Sequence, residues 1–300
     1  MRRRYLTVDV FTDRIFGGNP LAVILDGKDL STPQMQAIAK EFNYSETAFV
    51  LPPREVNHSA HVRIFTPQTE IPFAGHPNIG AAVVLAQEIE ATGSPPIERL
   101  TFEEAVGVVA IRLLRHASTV IGAELIAPEA LSTHACVSAG EVAACLSLAP
   151  TDISVSTHLP QVVSVGLPFL VTELTSRDAL RRAKPNWLAH ERVLPPVGTD
   201  AVFAYIRGSS REELQARMFA PLDRTIEDPA TGSAAAATIA LLAHLQPEPD
   251  VDIAWRIEQG VDMGRPSLLL GRTEKRTGVV NSVHLGGYVI PVMEGFISLP

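Results

Sequence analysis

The sequence predicts an α+β fold of two similar lobes, and three observations carry that expectation. Short strand-like runs dominate, at 21–25, 47–51, 60–65, 106–113, 161–165, 201–206, 267–270 and 288–292, and Gly, Pro or Asp bound them. Helical patterns are fewer and do not alternate regularly with the strands, which disfavours a plain βαβ ladder. Residues 66–80 and 228–237 share one pattern: a polar loop, a glycine turn and a helix of small residues. That repeat predicts two lobes with a cleft between them.

Each helix has a local reason. Ser31-Thr32-Pro33 opens a helix over 32–42 that sets Met35, Ile38, Ala39 and Phe42 on one stripe. Residues 77–91 begin at Pro77 and carry Ile79, Val83 and Ala86 on one face. Ser138 with Glu141 forms a capping box before an apolar helix. Residues 232–245 form a long Ala-rich helix.

Composition narrows the function classes. The 300 residues are 46% hydrophobic and 19% charged, enough for one large domain or two of moderate size without staples. The net charge is -8, and the basic residues cluster only at Arg2-Arg3-Arg4 and in short pairs such as Arg181-Arg182. A nucleic-acid partner is therefore not expected. Two cysteines, Cys136 and Cys145, do not make a secreted disulfide scaffold. Residues 5–10 alternate as a strand rather than forming the apolar core of a signal peptide, and no run is long enough to span a membrane. A cytoplasmic location is the expectation.

Three segments carry chemistry. In Phe73-Ala74-Gly75-His76-Pro77-Asn78, Gly75 lets another group approach the backbone, and the free amides of the helix start make an anion site with His76 at its mouth. In Glu227-Asp228-Pro229-Ala230-Thr231-Gly232-Ser233, Thr231 and Ser233 can cap a helix, and Asp228 can reach the same helix mouth. Glu46 lies where a helix gives way to an apolar strand. Partial burial there would raise its pKa toward a value useful for proton transfer. Taken alone, each reads more simply as a tight turn, an N-cap before a core helix, or a surface glutamate. Other motifs lack required atoms. Gly75 and Gly80 have P-loop spacing, but Ala81-Ala82 stand where Lys-Ser/Thr is needed. His190-Glu191 begins like a zinc-protease helix, but Leu194 occupies the second histidine position, and His58 and His61 have no further ligands. No GxGxxG or GxSxG occurs.

Together these segments resemble the phenazine-biosynthesis isomerase (PhzF-like) family. Further matching stretches are Val8-Asp9-Val10-Phe11, Gly18-Asn19-Pro20-Leu21, Ile64-Phe65-Thr66-Pro67, Glu258-Gln259-Gly260 and Met263-Gly264-Arg265-Pro266-Ser267. The resemblance runs nearly end to end. It implies a diaminopimelate-epimerase-like fold, each lobe a curved sheet around a central helix. The first lobe would cover 1–117, joined by about 289–300, and the second 118–288. It implies a homodimer, no cofactor, no metal, and an isomerase that moves a proton within a small carboxylated metabolite. Glu46 matches the proton-carrying glutamate, and His76, Asp228 and Ser233 match the assisting residues. Ser45, Gly75, Pro77, Asn78, Thr231 and Gly232 are the candidate substrate-binding positions around them. Apolar strands with edges to cover also point to a dimer. Two alternatives stay open. One is an epimerase or racemase, although the paired cysteines such enzymes place at the helix mouths are absent here. The other is a non-catalytic small-molecule binding or interaction protein that keeps the fold.

Overall fold

A computed structural model describes residues 2–210, 212–223 and 225–299. The backbone divides into two units, one running up to Ile126 and resuming at Gly286, the other spanning Ala127–Leu285.

In the first unit, β1 (Arg2–Val10) pairs antiparallel with β2 (Asn19–Ile24). Helix α1 (Thr32–Phe42) crosses over to β3 (Glu46–Leu51), which lies parallel to β2. β4 (Ala60–Phe65) returns antiparallel to β3, and the short β5 (Glu70–Ile71) folds back on β4. Helix α2 (Gly75–Ala91) follows. β6 (Arg99–Glu104) lies parallel to β4 and forms an antiparallel pair with β7 (Gly107–His116), which pairs in turn with β8 (Thr119–Ile126). The C-terminal strand pairs with both β8 and β1, so the ladder closes into a ring. Closure removes the exposed edges that the strand pattern led us to expect.

The second unit repeats this plan. β9 (Ser132–Cys136), α3 (Ala139–Cys145), β10 (Ile153–Ser154) and β11 (Gln161–Ser164) lead into β12 (Pro168–Leu174). α4 (Arg177–Arg182) and α5 (Trp187–Val193) cross over to β13 (Val202–Arg207), parallel to β12. β14 (Glu213–Ala220) returns antiparallel, β15 (Thr225–Asp228) folds back on it, and α6 (Gly232–His244) follows. β16 (Val251–Gln259) runs parallel to β14 and antiparallel to β17 (Ser267–Arg276). The chain then turns at Thr277 and Gly278, both with positive φ, into β18 (Val279–Ser298). Pairing for pairing, β1 to β7 recur as β11 to β17.

α2 and α6 are the core elements. α2 is buried on every side from His76 to Val84, and in α6 every residue from Ala234 to Ala243 is buried. A helix apolar all round must be enclosed on all faces, and strands enclose both. Gly80 brings α2 against its strands: a Cβ there would lie 2.5 Å from Leu21. α1 instead shows the predicted stripe, with Met35, Ile38 and Ala39 packed on Ile24, Phe49 and Phe65. α3, α4 and α5 cover one face of the second unit's strands in the same manner.

The sequence reading needs adjustment at four places. α2 begins at Gly75 rather than Pro77. α4 and α5 escape a periodicity search because each spans barely two turns; their start signals are Ser176 and Asn186, which cap them. The unit boundary falls after Ile126 and before Gly286, because β8 stays in the ladder of β7. The run at 288–292 is part of a 20-residue strand. Among the described residues, no helix is long and apolar enough to cross a membrane.

One ion pair ties the second unit's layers together. Arg217 on β14 is buried and donates to both carboxylate oxygens of Glu227 at 2.8 and 2.7 Å. Its remaining guanidinium nitrogen donates to the carbonyls of Leu180 and Ala183, at the end of α4. Removing one partner of a buried pair leaves the other uncompensated, a larger loss than for a surface pair. Arg217→Met should therefore lower stability by about 3–5 kcal/mol, read as a fall in the urea midpoint at unchanged slope. A loss under about 1 kcal/mol, the range of exposed pairs, would show that the pair behaves as a surface contact.

Candidate active site

In the first unit the polar groups gather at the start of α2. α1 ends at Asn43, whose left-handed conformation (φ 53°) turns the chain toward β3. Glu46 opens β3 in register with Leu21 of β2. Alternation then sends Glu46, Ala48 and Val50 to one face and Thr47, Phe49 and Leu51 to the other. Phe49 packs on the α1 layer, so the Glu46 face is the one toward α2. At its end, Glu46 Oε2 lies 3.3 Å from His76 Nε2, with the two side chains only 18% and 7% exposed. This is ion-pair distance without the alignment of a hydrogen bond. Ser45 Oγ donates to Asn19 Oδ1 at 3.5 Å, a long contact that ties the loop before Glu46 to the start of β2.

His76 is neutral at physiological pH. Burial pulls its pKa down to about 3. A carboxylate at 3.3 Å would favour the imidazolium, but the helix N-terminus adds to the effect of burial by disfavouring positive charge, and the neutral form prevails.

The first turn of α2 has no side-chain cap. Ala74 occupies the cap position in extended backbone and has no acceptor to offer. Gly75 follows, and a Cβ at that position would meet no atom of the chain within 4 Å. The room that Gly75 leaves is thus not filled by packing, which suits close approach of a ligand to the amides. Pro77 is buried within this turn. Asn78 is fully buried and does not present its amide to solvent: Nδ2 donates to Ala74 O at 3.1 Å.

The second unit builds the matching turn before α6. Asp228 ends β15 opposite Met218 and is buried. Thr231 stands at the cap position, but its side chain does not cap the helix. Its hydroxyl donates instead to Asp228 Oδ2. Gly232 and Ser233 are then the first two helical residues, as Gly75 and His76 are in α2. Ser233 is half-buried, unlike the residues around it.

Gln259, the last residue of β16, was given no role in the sequence reading. It is fully buried, accepts from the Thr231 amide at 3.1 Å, and donates to Asp228 O at 2.8 Å and Thr231 Oγ1 at 3.0 Å. Gly260 follows with φ 73°, and a Cβ there would strike Pro229 O at 2.6 Å. The matching stretch Glu258-Gln259-Gly260 thus holds the Asp228 turn in place.

Neither cysteine belongs to these turns. Cys145 ends α3 and is buried, its thiol pushed up to about 11 by desolvation, while Cys136 is exposed on β9. His190 is a buried core residue, with Nδ1 3.0 Å from Asn186 O and Nε2 buried without a hydrogen-bond partner. His58 pairs with Glu103 at 2.9 Å. Among the described residues no group of His, Cys, Asp and Glu could hold a metal ion.

The comparisons with known proteins agree with this architecture. The family model for phenazine biosynthesis-like protein matches residues 8–295. An uncharacterised isomerase of Mesorhizobium japonicum is 38% identical over 301 residues, covering 98% of both chains. The trans-2,3-dihydro-3-hydroxyanthranilate isomerase of Pseudomonas chlororaphis is 34% identical over 300 residues, covering 98% of this chain and 99% of its own. A phenazine biosynthesis protein of the PhzF family from Bacillus anthracis superposes with a TM-score of 0.87 over 100% of both chains, at 22% identity, a likeness of fold. By its sequence and its two repeated units, the chain belongs to the phenazine biosynthesis-like (PhzF) family, with a diaminopimelate-epimerase-like fold, and it is an isomerase.

Proposed function

We propose that the protein moves a proton from one carbon to another within a small carboxylated metabolite, with Glu46 as the proton carrier and without a cofactor. The observation that carries this reading is the carboxylate of Glu46 beside His76 at a helix start that no side chain caps. An isomerase of this kind needs a base to take a carbon-bound proton and an acid to return it, and one carboxyl serves both steps. As the C–H bond breaks, its electron pair moves into the conjugated system of the substrate, and the negative charge falls toward the helix amides. The proton rests on Glu46 and is delivered to the second carbon, restoring the carboxylate. Neutral His76 orients the carboxyl or receives a hydrogen bond from the substrate. In this reading Asp228, held by Thr231, and Ser233 at the start of α6 are the assisting residues. A homodimer belongs to the reading through the family resemblance. The cysteine-based racemase is disfavoured because a thiol buried and pushed up to about 11 is a poor base.

Four outcomes are expected, those that measure turnover with trans-2,3-dihydro-3-hydroxyanthranilate, the substrate named for the Pseudomonas relatives, as the first probe. Glu46→Gln keeps the shape and removes the titrating group, so turnover should fall at least about a hundredfold while binding persists. In heavy water the wild-type product should carry deuterium at the newly protonated carbon. Near-normal turnover by Glu46→Gln would end this assignment, with Asp228→Asn the next variant to measure.

Changing both Cys136 and Cys145 to Ser should leave turnover within a small factor in protein that remains folded. Loss of activity without loss of structure would bring the cysteine mechanism back.

Small carboxylates such as citrate or benzoate should raise the melting temperature in the presence of EDTA, since a ligand selective for the folded state stabilises it. Stabilisation that appears only with added metal would contradict the metal-free site.

A further inference from the structure

Asn78 and Glu104 meet inside the first unit with three polar atoms unaccounted for. Asn78 Oδ1 and both carboxyl oxygens of Glu104 are buried and accept no hydrogen bond, although the two side chains are within hydrogen-bonding range of one another. The orientation of the Asn78 amide is fixed, because Nδ2 donates to Ala74 O at 3.1 Å. Turning the amide over would set Oδ1 against that carbonyl, acceptor to acceptor. The second N–H of Nδ2 is open to a Glu104 oxygen, but an ionised carboxylate, which only accepts, still leaves Asn78 Oδ1 without a partner. One proton on Glu104 changes the count: the carboxyl donates to Asn78 Oδ1, and the pair is satisfied.

The second unit supplies an independent observation. The ladders of the two units correspond, and so do their registers. Asp228 lies as far before Gly232 as Ile71 lies before Gly75. Asp228 is opposite Met218 and Ile71 is opposite Ile64. Gln259, opposite Ala216, is two residues along β14 from Met218. The same step from Ile64 reaches Val62, and the pairing His61↔Glu103 makes the next residue, Glu104, its neighbour. Glu104 is thus the counterpart of Gln259, the neutral amide that clamps the turn before α6. A protonated glutamate is the nearest chemical equivalent of that glutamine.

We propose that Glu104 is a positioning residue that stays protonated at neutral pH and, by donating to Asn78, holds the first turn of α2 with His76 in place. Burial works in the same direction, pushing the Glu104 pKa from 4.5 up to about 8. The charged groups that line the same cavity are Arg54, His61, Arg63 and Glu70. They are engaged with one another: Arg63 with Glu70 at 2.6 Å, and Arg54 Nη2 3.2 Å from His61 Nε2. None of them offers Glu104 a counter-charge. Glu103 points to the other face of β6, where it accepts from the amides of Arg54 and Glu55.

The role rests on the start of α2 belonging to the proposed catalytic site, but its test needs no turnover, so failure here and failure of that reading are separate results. The folded-state pKa of Glu104 lies above its unfolded value. Its stabilising contribution is therefore fully present below about 4.5 and is lost as pH rises through about 8. Melting temperatures of wild type and Glu104→Gln, measured across that window, should diverge by several degrees, the wild type falling and the variant holding. A difference that does not change with pH would overturn the proposal. The ring resonances of His76, assigned by their loss in His76→Gln, report the turn itself. They should be retained in Glu104→Gln at neutral pH, because its amide donates as the protonated acid does. In wild type alone they should shift as pH passes about 8. Resonances of Glu104→Gln displaced at neutral pH, or a wild type unchanged through that range, would equally overturn it. Glu104→Ala, where it folds, should show the displaced resonances, and wild-type resonances there would refute the clamp.

Discussion

A helix enclosed by strands on every side must still satisfy the amides of its first turn. In this protein the outer helices do so with their own side chains: Ser31, Ser138, Ser176 and Asn186 cap α1, α3, α4 and α5. The two central helices do not. Ala74 has no acceptor, and Thr231 has turned its hydroxyl to Asp228. The positive end of each buried helix is left without a side-chain cap. The placement of the chemical groups follows from that constraint. Glu46 stands at the end of the strand face that packs on α2, and His76 and Ser233 occupy the same second position of their helices.

A turn without a cap loses a hydrogen bond that would hold it, and a site that stabilises developing charge needs fixed donors. Each unit replaces the cap with a clamp from the strand that returns beside the helix. In the second unit Gln259 bonds to both sides of the Asp228 turn, and Gly260 leaves room for Pro229. In the first, Asn78 reaches back to Ala74, supported by Glu104. The repeat that shows in the sequence as two glycine turns therefore extends to their supports, with different residues filling one role.

Much of this was readable in the residues. The stripe of Met35, Ile38 and Ala39, the capping box at Ser138 and the strand at 60–65 rest on local signals, which the structure follows. The pairing of Glu46 with His76 was not readable from spacing, because it depends on which strand lies beside α2. The family resemblance supplied the two residues but not their contact. Thr231 reads as a cap and is not one, since a nearby carboxylate competes for its hydroxyl. Glu104 is hidden for another reason. Glu103-Glu104 has no role in the sequence reading, yet the alternation Leu100, Phe102, Glu104 would have sent the second acid to the inner face.

Two carboxyl groups thus belong to the surroundings of one helix start, and their environments differ. Glu46 has one oxygen, Oε2, buried against His76 on a side chain that is 18% exposed, whereas both oxygens of Glu104 are buried and have no counter-charge. The difference has a consequence for an anionic substrate. A second carboxylate near the start of α2 would draw on the same helix field and repel the substrate's own carboxylate. Kept neutral, Glu104 supports the turn without adding that charge, and the helix amides stay available to the ligand. On the proposed reading, Glu46 is then the group whose charge changes during the reaction. Separate surroundings give neighbouring acids separate protonation states, and that separation is what the proposed proton transfer would require of Glu46 and Glu104.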